Sequence, residues 1–210
     1  MMNAGSDRVG RDGHASSVGE DPPLFSSAFG ELGVDASMLV PWQTRAADIA
    51  AVPLMPARGI EMLQVLWHRD KYMGRLQPHA IGRLEKFFEF ASVKAGHDVI
   101  EQDEYGNFMI VLLSGAVAVD RRQPWGEEMR MAEARPGEIL GEMSLLDSGI
   151  RFARCTTLTP CEIGVLDAQA LDAMMAGDPE LAASLIALLA RRLSLRLRIV
   201  GARVSDRPTI

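Results

Sequence analysis

The sequence predicts an α+β fold: a small antiparallel β-barrel or jelly roll, flanked by N-terminal helices and closed by a long C-terminal helix. Three observations lead there. Apolar residues recur at helical spacing on either side of Pro78: Ile60, Leu63, Val65, Leu66 and Trp67 before it, and Ile81, Leu84, Phe87 and Phe88 after it. Beyond Phe90 the texture changes to short β-like runs separated by glycine-bearing turns. From Asp178 onward leucines again fall at helical spacing.

Each element follows in chain order. Residues 1–34 are rich in Gly, Ser, Asp and Pro, as in "GRDGHASSVGEDPP". Such a stretch buries too little apolar surface to offset its ordering entropy, so it is expected to be a disordered tail. Residues 35–75 form an accessory helical segment. In it "DIAAV" has a helical texture that Pro53 and Pro56 interrupt, and a helix is expected over 57–72. A second helix is expected from Pro78, which suits a first helical turn, to Phe90. After "VKAGHDVI", Phe108–Leu113 and Ala116–Val119 read as strands joined at Ser114-Gly115. Met129–Ala132 follows through a hairpin at Pro124-Trp125-Gly126, then Glu138–Leu140, Arg154–Thr157 and Cys161–Leu166. Many short strands at regular spacing point to a closed antiparallel architecture.

The last helix is expected over 179–201, about 34 Å long at 1.5 Å per residue. Asp178 caps it, Pro179 opens it and Glu180 places an acid in its first turn. Leu185, Leu189, Leu193, Leu197, Val200 and Val204 make one stripe; Leu181, Leu188, Leu195 and Ile199 make another. Two stripes mean two surfaces to bury. One faces the chain's own barrel and the other a second copy in a symmetric homodimer; the alternative is a helix wrapped on both sides by its own domain. Residues 205–210 are a short tail.

Composition narrows the function classes. With 210 residues the chain holds one sizeable domain and a small accessory region. A net charge of −6 argues against a broad nucleic-acid surface, which needs a basic patch. No apolar run reaches the length of a transmembrane helix, and nothing reads as a secretory signal. A cytoplasmic protein, with no membrane and no nucleic-acid partner, is the expectation. Cys155 and Cys161 are too few for a disulfide framework. His14, His68, His79 and His97 show no metal-ligand spacing. No Ser, Cys or Lys stands in a recognisable catalytic arrangement, so no enzyme is expected. Arg191, Arg192, Arg196, Arg198 and Arg203 make the last helix basic, as a solvated face complementing its dipole would be.

One stretch carries chemistry: "GEMSLLDSGIRFA", from Gly141 to Ala153. A strand ending at Leu140 and a tight Gly141 let backbone approach a ligand closely. Residues 142–146 then form a helical turn whose first N–H groups have no intrahelical acceptor. Arg151 returns with a planar fork suited to a phosphate. Glu142 is an acceptor suited to a sugar hydroxyl. Carboxylate and guanidinium together suit a ribose beside a single phosphate.

This stretch resembles the phosphate-binding cassette of the cyclic nucleotide-binding domain family. The resemblance covers residues 76–204. It includes "VKAGHDVIEQDEYGNFMIVLLSGAVAV", which is similar to the family's paired strands, and the cassette entrance "PGEILGEMSLL". "TPCEIGVLD" and "DPELAASLIALLARRL" resemble its exit strand and its lid-and-dimer helix. The resemblance implies that Glu142 holds the ribose 2′-hydroxyl and Arg151 the cyclic phosphate. Backbone around Gly141, Met143 and Ala153 completes the cradle, with Ser144 in the same turn.

The sequence also departs from the family pattern. Ile150 replaces a common proline. Phe152 replaces a small or hydroxylated residue and either lines or crowds the pocket. Asp103-Glu104 replaces "GD", a change expected to alter only a turn. Gap-free counting places Arg196 and Leu197 at the base, where Arg196 is expected to stack on the ring as a cation–π contact. The implied ligand is cAMP, preferred over cGMP, with cGMP possible. Too few residues follow Gly201 for a helix-turn-helix. The resemblance therefore implies a stand-alone receptor that repositions its C-terminal helix and signals to an unidentified effector protein. The alternative is a ligand-independent protein-interaction module on a degenerate form of the same fold.

Overall fold

The computed structural model describes residues 23–69 and 78–205. The expectations for 1–22, 70–77 and 206–210 lie outside the described residues. Helices α1 (Ala28–Glu31) and α2 (Trp42–Asp48), the two-residue strand β1 (Val52–Pro53) and helix α3 (Pro56–Arg69) precede the barrel. A short α4 (Pro78–Arg83) leads into strands β2 (Glu89–Val93), β3 (Asp98–Ile100), β4 (Phe108–Ser114), β5 (Val117–Arg122), β6 (Glu128–Ala134) and β7 (Ile139–Leu140). Helix α5 (Glu142–Asp147) interrupts them before β8 (Arg154–Thr157) and β9 (Cys161–Asp167). Helices α6 (Ala168–Gly177) and α7 (Pro179–Ser205) close the chain.

The strands form two antiparallel sheets, ordered β1-β2-β9-β4-β7 and β3-β8-β5-β6. Strand β4 shows why they stack as a jelly roll. Its sequence FMIVLLS is apolar almost throughout, as a strand covered on both faces requires. Successive side chains point to opposite faces. Phe108, Ile110 and Leu112 therefore enter the core between the sheets with Val99, Val117 and Ile163. Met109, Val111 and Leu113 enter a second core, shared with α3, α6 and α7 through Trp67, Leu171, Leu185 and Leu189. Strand β4 is thus the common wall between barrel and helical layer.

Three expectations are corrected, and one helix is added. Residues 23–34 are ordered rather than part of a disordered tail. Phe25 and Phe29 are buried, and the Phe25 and Ser26 amides donate to the two Asp172 carboxylate oxygens at 2.9 and 2.8 Å. Two aromatic anchors outweigh the Gly/Ser-rich surroundings. The helix expected to reach Phe90 ends as α4 at Arg83, followed by one 3-10 turn over Leu84–Lys86. Phe88 packs edge-on to Trp67 at 6.3 Å, while Phe90 belongs to β2, which pairs with β9. Helix α6 was not anticipated. Its Asp167 cap accepts from the Ala170 amide at 2.7 Å, and Leu171 and Met174 bury its inner face. Finally, Leu181, Leu185, Leu188 and Leu189 of α7 all bury in the chain's own core. Both leucine stripes are consumed there in their first half. Only beyond Arg191 does an apolar face remain open, through Leu195, Leu197 and Ile199.

This packing sets an expectation for Leu189→Glu. The substitution places an uncompensated carboxylate in the core, at a cost of about 3–5 kcal/mol. Circular dichroism and urea titration are expected to show an unfolded or severely destabilised chain. A folded variant of unchanged midpoint would contradict the placement of α7.

Candidate ligand-binding site

Strand β7 ends against β4, where Leu140 pairs with Ile110. The chain then turns through Gly141 in the left-handed region at φ +77°. A Cβ there would lie 2.6 Å from Arg151 Nη1 and 3.2 Å from the Phe108 carbonyl oxygen, so only glycine fits. Helix α5 starts at once and carries Glu142, Met143 and Ser144. It ends at Ser148, also left-handed at φ +55°. The Gly149 amide donates to Asp147 Oδ1 at 2.9 Å. That tight return brings Arg151 back beneath the start of α5.

Arg151 is 1% exposed. Its Nη1 donates to the Gly141 carbonyl at 2.8 Å and its Nη2 to the Phe108 carbonyl at 2.6 Å. The guanidinium carbon stands 4.6 Å from the centre of the Phe108 ring. Its Nε is buried with no partner. Burial lowers the Arg151 pKa to about 10, with the nearby Glu104 carboxylate acting in the opposite direction. The group is therefore cationic at neutral pH. Backbone bonds hold it in place: its amide donates to the Glu104 carbonyl at 2.8 Å, and its carbonyl accepts from the Asp103 amide at 2.9 Å.

Glu142 is 3% exposed, and its carboxylate forms an ion pair with Arg196 of α7. Arg196 Nη2 also donates to the Ile139 carbonyl at 3.1 Å, and Arg192 Nη1 donates to the Gly137 carbonyl at 3.1 Å. Helix α7 is thus tied to the segment that enters the cassette. In this structure Arg196 is engaged with Glu142 and the Ile139 carbonyl. Leu197 is 72% exposed and lies outside the cavity.

Gly141, Glu142, Met143, Ser144, Arg151, Phe152, Ala153 and Arg196 all line one cavity of about 120 Å³, together with Ile100, Val119, Leu140 and Cys155. Phe152 lines it at the rim instead of filling it. Arg121 of β5 lies over the Phe152 ring at 3.8 Å and donates to its carbonyl at 2.5 Å. Burial pushes the Cys155 thiol up to about 12, so it is neutral wall rather than nucleophile. Among the described residues no group of His, Cys, Asp or Glu side chains is placed to hold a metal ion, and no helix is long and apolar enough to cross a membrane.

Sequence reasoning missed several groups behind the cavity. Asp103-Glu104 is more than an altered turn: Asp103 is left-handed at φ +66°, and both residues bond the Arg151 backbone. A Cβ on Gly106 would meet Arg151 Nε at 2.6 Å, so this glycine makes room for the guanidinium. Trp42 and Arg45 of α2 also reach this region. The one sequence signal for them is the i, i+3, i+7 spacing of Trp42, Arg45 and Ile49, all buried.

The residues fit a cyclic nucleotide. The buried Arg151 guanidinium and the buried Glu142 carboxylate line one cavity, and Gly141 leaves room for the guanidinium beside it.

Comparison with known proteins agrees. Residues 90–178 match the cyclic nucleotide-binding domain. A CRP-like cAMP-activated global transcriptional regulator of Mycobacterium tuberculosis is 34% identical over 118 residues, 56% of this chain and 53% of its own length. The chain thus spans about half the length of this curated relative. Because that relative is a transcriptional regulator by name, the expected absence of a nucleic-acid partner finds no support in it. The Thermus thermophilus catabolite activator protein superposes with a TM-score of 0.53 at 31% identity, covering 65% of this chain and 62% of its own. A cyclic nucleotide-binding domain from Methylobacillus flagellatus shares the fold with a TM-score of 0.69 at 23% identity, covering 76% of this chain and 90% of its own. Residues 90–178, which match the cyclic nucleotide-binding domain, contain the whole cassette.

Proposed function

We propose that this chain is a cytoplasmic cyclic mononucleotide receptor, not an enzyme, that prefers cAMP over cGMP and signals to a partner protein by moving α7. One observation carries this reading: Glu142 and Arg151 line a single cavity, the arginine with a buried Nε that has no partner. A cyclic phosphate supplies the missing acceptor in a charge-assisted bond. Glu142 accepts from the ribose 2′-hydroxyl. The family's cAMP-activated members support the ligand class. The preference for adenine follows from Phe152, which stands where guanine-preferring relatives place a hydroxyl.

Signalling follows from the Arg196–Glu142 pair, which ties α7 to the ribose side of the cavity. A sugar hydroxyl bonded to Glu142 changes the acceptor that holds Arg196, and so the resting position of α7. The open apolar face beyond Arg191 supports an isologous homodimer through α7. The same ion pair also favours a second reading, in which Arg196 permanently satisfies Glu142 and the domain is a ligand-independent interaction module.

Calorimetry separates the two. Arg151→Ala is expected to lose about 2–5 kcal/mol of cAMP binding. Equal binding by wild type and variant would remove the cassette from the explanation, and no heat with the wild type would favour the interaction module. Arg196→Ala leaves the buried Glu142 carboxylate without its counter-charge. It is expected to weaken cAMP and cGMP by a similar factor in competition titrations; selective loss of cGMP would assign Arg196 to the guanine edge. For assembly, Leu197→Glu with Ile199→Glu is expected to give folded monomers by light scattering and circular dichroism. A wild-type chain that is monomeric at micromolar concentration would refute the dimer.

A further inference from the structure

Helix α2 lies outside the residues that match the family, yet it grips the cassette arginine from behind by two routes. The first runs through aromatic rings. Trp42 packs edge-on to Phe108, with ring centres 5.7 Å apart. The other side of that contact is Arg151, stacked on the Phe108 ring and bonded to the Phe108 carbonyl. The second route runs through charge. Arg45 is only 5% exposed and forks between two carboxylates, Glu101 at 2.6 Å and Glu104. Glu104 in turn accepts the Arg151 amide through its backbone carbonyl. A line of bridges runs alongside: Leu39 pairs with Tyr105, Tyr105 pairs with Ile150, and the Val40 amide donates to the Tyr105 carbonyl at 2.8 Å.

The Arg151 guanidinium is therefore boxed between Phe108, Gly106 and Gly141, while its backbone is pinned by the 103–105 loop that Arg45 holds. A surface ion pair would do none of this. Arg45 is buried, and burying a guanidinium without fixed partners is costly, so the fork sets one geometry. Bidentate recognition of a phosphate tolerates little displacement of the guanidinium.

We propose that Trp42 and Arg45 are positioning residues for Arg151, so that the accessory segment sets the affinity of the nucleotide site. The ligand in this inference rests on the cyclic nucleotide reading; the positioning does not. Reciprocity follows: nucleotide bound at Arg151 tightens α2 on the barrel, and whatever draws α2 away weakens the nucleotide.

The test uses the full chain with Arg45→Met and Trp42→Leu, each checked for folding by circular dichroism. Two readouts are taken: the Arg151 Nε–H resonance of the ligand-free protein by NMR, and cAMP affinity by calorimetry. The expected result is a shifted resonance in both variants and affinity weakened about tenfold or more. Trp42→Phe, which keeps a ring edge on Phe108, is expected to restore both. Folded variants with wild-type affinity overturn the proposal, whether or not the resonance moves. Should either variant fail to fold, Glu104→Gln keeps the volume, removes the charge that Arg45 holds and decides by the same two readouts. If the wild type does not bind cAMP, the resonance alone decides: a shift upholds the positioning while the ligand reading falls, and no shift overturns both.

Discussion

A guanidinium removed from water is costly unless fixed groups meet its donors, and Arg151 is almost wholly removed. Two backbone carbonyls, one aromatic face and a nearby carboxylate supply most of what water would. The rest of the site follows from that burial. Gly106 and Gly141 must be glycine because any Cβ would enter the space the guanidinium fills. Phe108 must stand on the central strand, since its ring and its carbonyl both serve the arginine. One donor, Nε, is buried without a partner.

Around this cation the fold places two handles. Helix α7 reaches the cavity from the open side through Arg196 and Glu142, and α2 reaches it from behind through Trp42 and Arg45. The jelly roll between them is a stiff frame, because β4 is buried on both faces and shared by two cores. The cavity therefore has a helix tied to it on either side.

Much of this was legible in the sequence. Short β-like runs between glycine-bearing turns placed the strands from β4 onward, and period-3.6 patterns placed α3 and α7. The cassette is legible as a local pattern, since Gly141, Glu142 and Arg151 fall within one short stretch and line one cavity. The remainder depended on distant partners. Phe25 and Phe29 lie in a Gly/Ser-rich stretch and are ordered by Asp172, far along the chain. Helix α6 follows its strand without a loop, so its cap at Asp167 was read as strand. Arg196 lines the cavity, but its ion pair with Glu142 joins residues far apart in the chain and no spacing rule encodes it. The grip of α2 on Arg151 joins residues about 100 positions apart through Phe108 and Glu104, and no local pattern encodes it.

The most direct measurement is a crystal structure of the full chain grown with cAMP. The expected structure has the cyclic phosphate on the Arg151 guanidinium, with Nε among its donors, and the ribose hydroxyl on Glu142. A nucleotide seated elsewhere, or an unliganded cavity in which Arg196 still holds Glu142 at saturating cAMP, would contradict the assignment of this cavity as the receptor site.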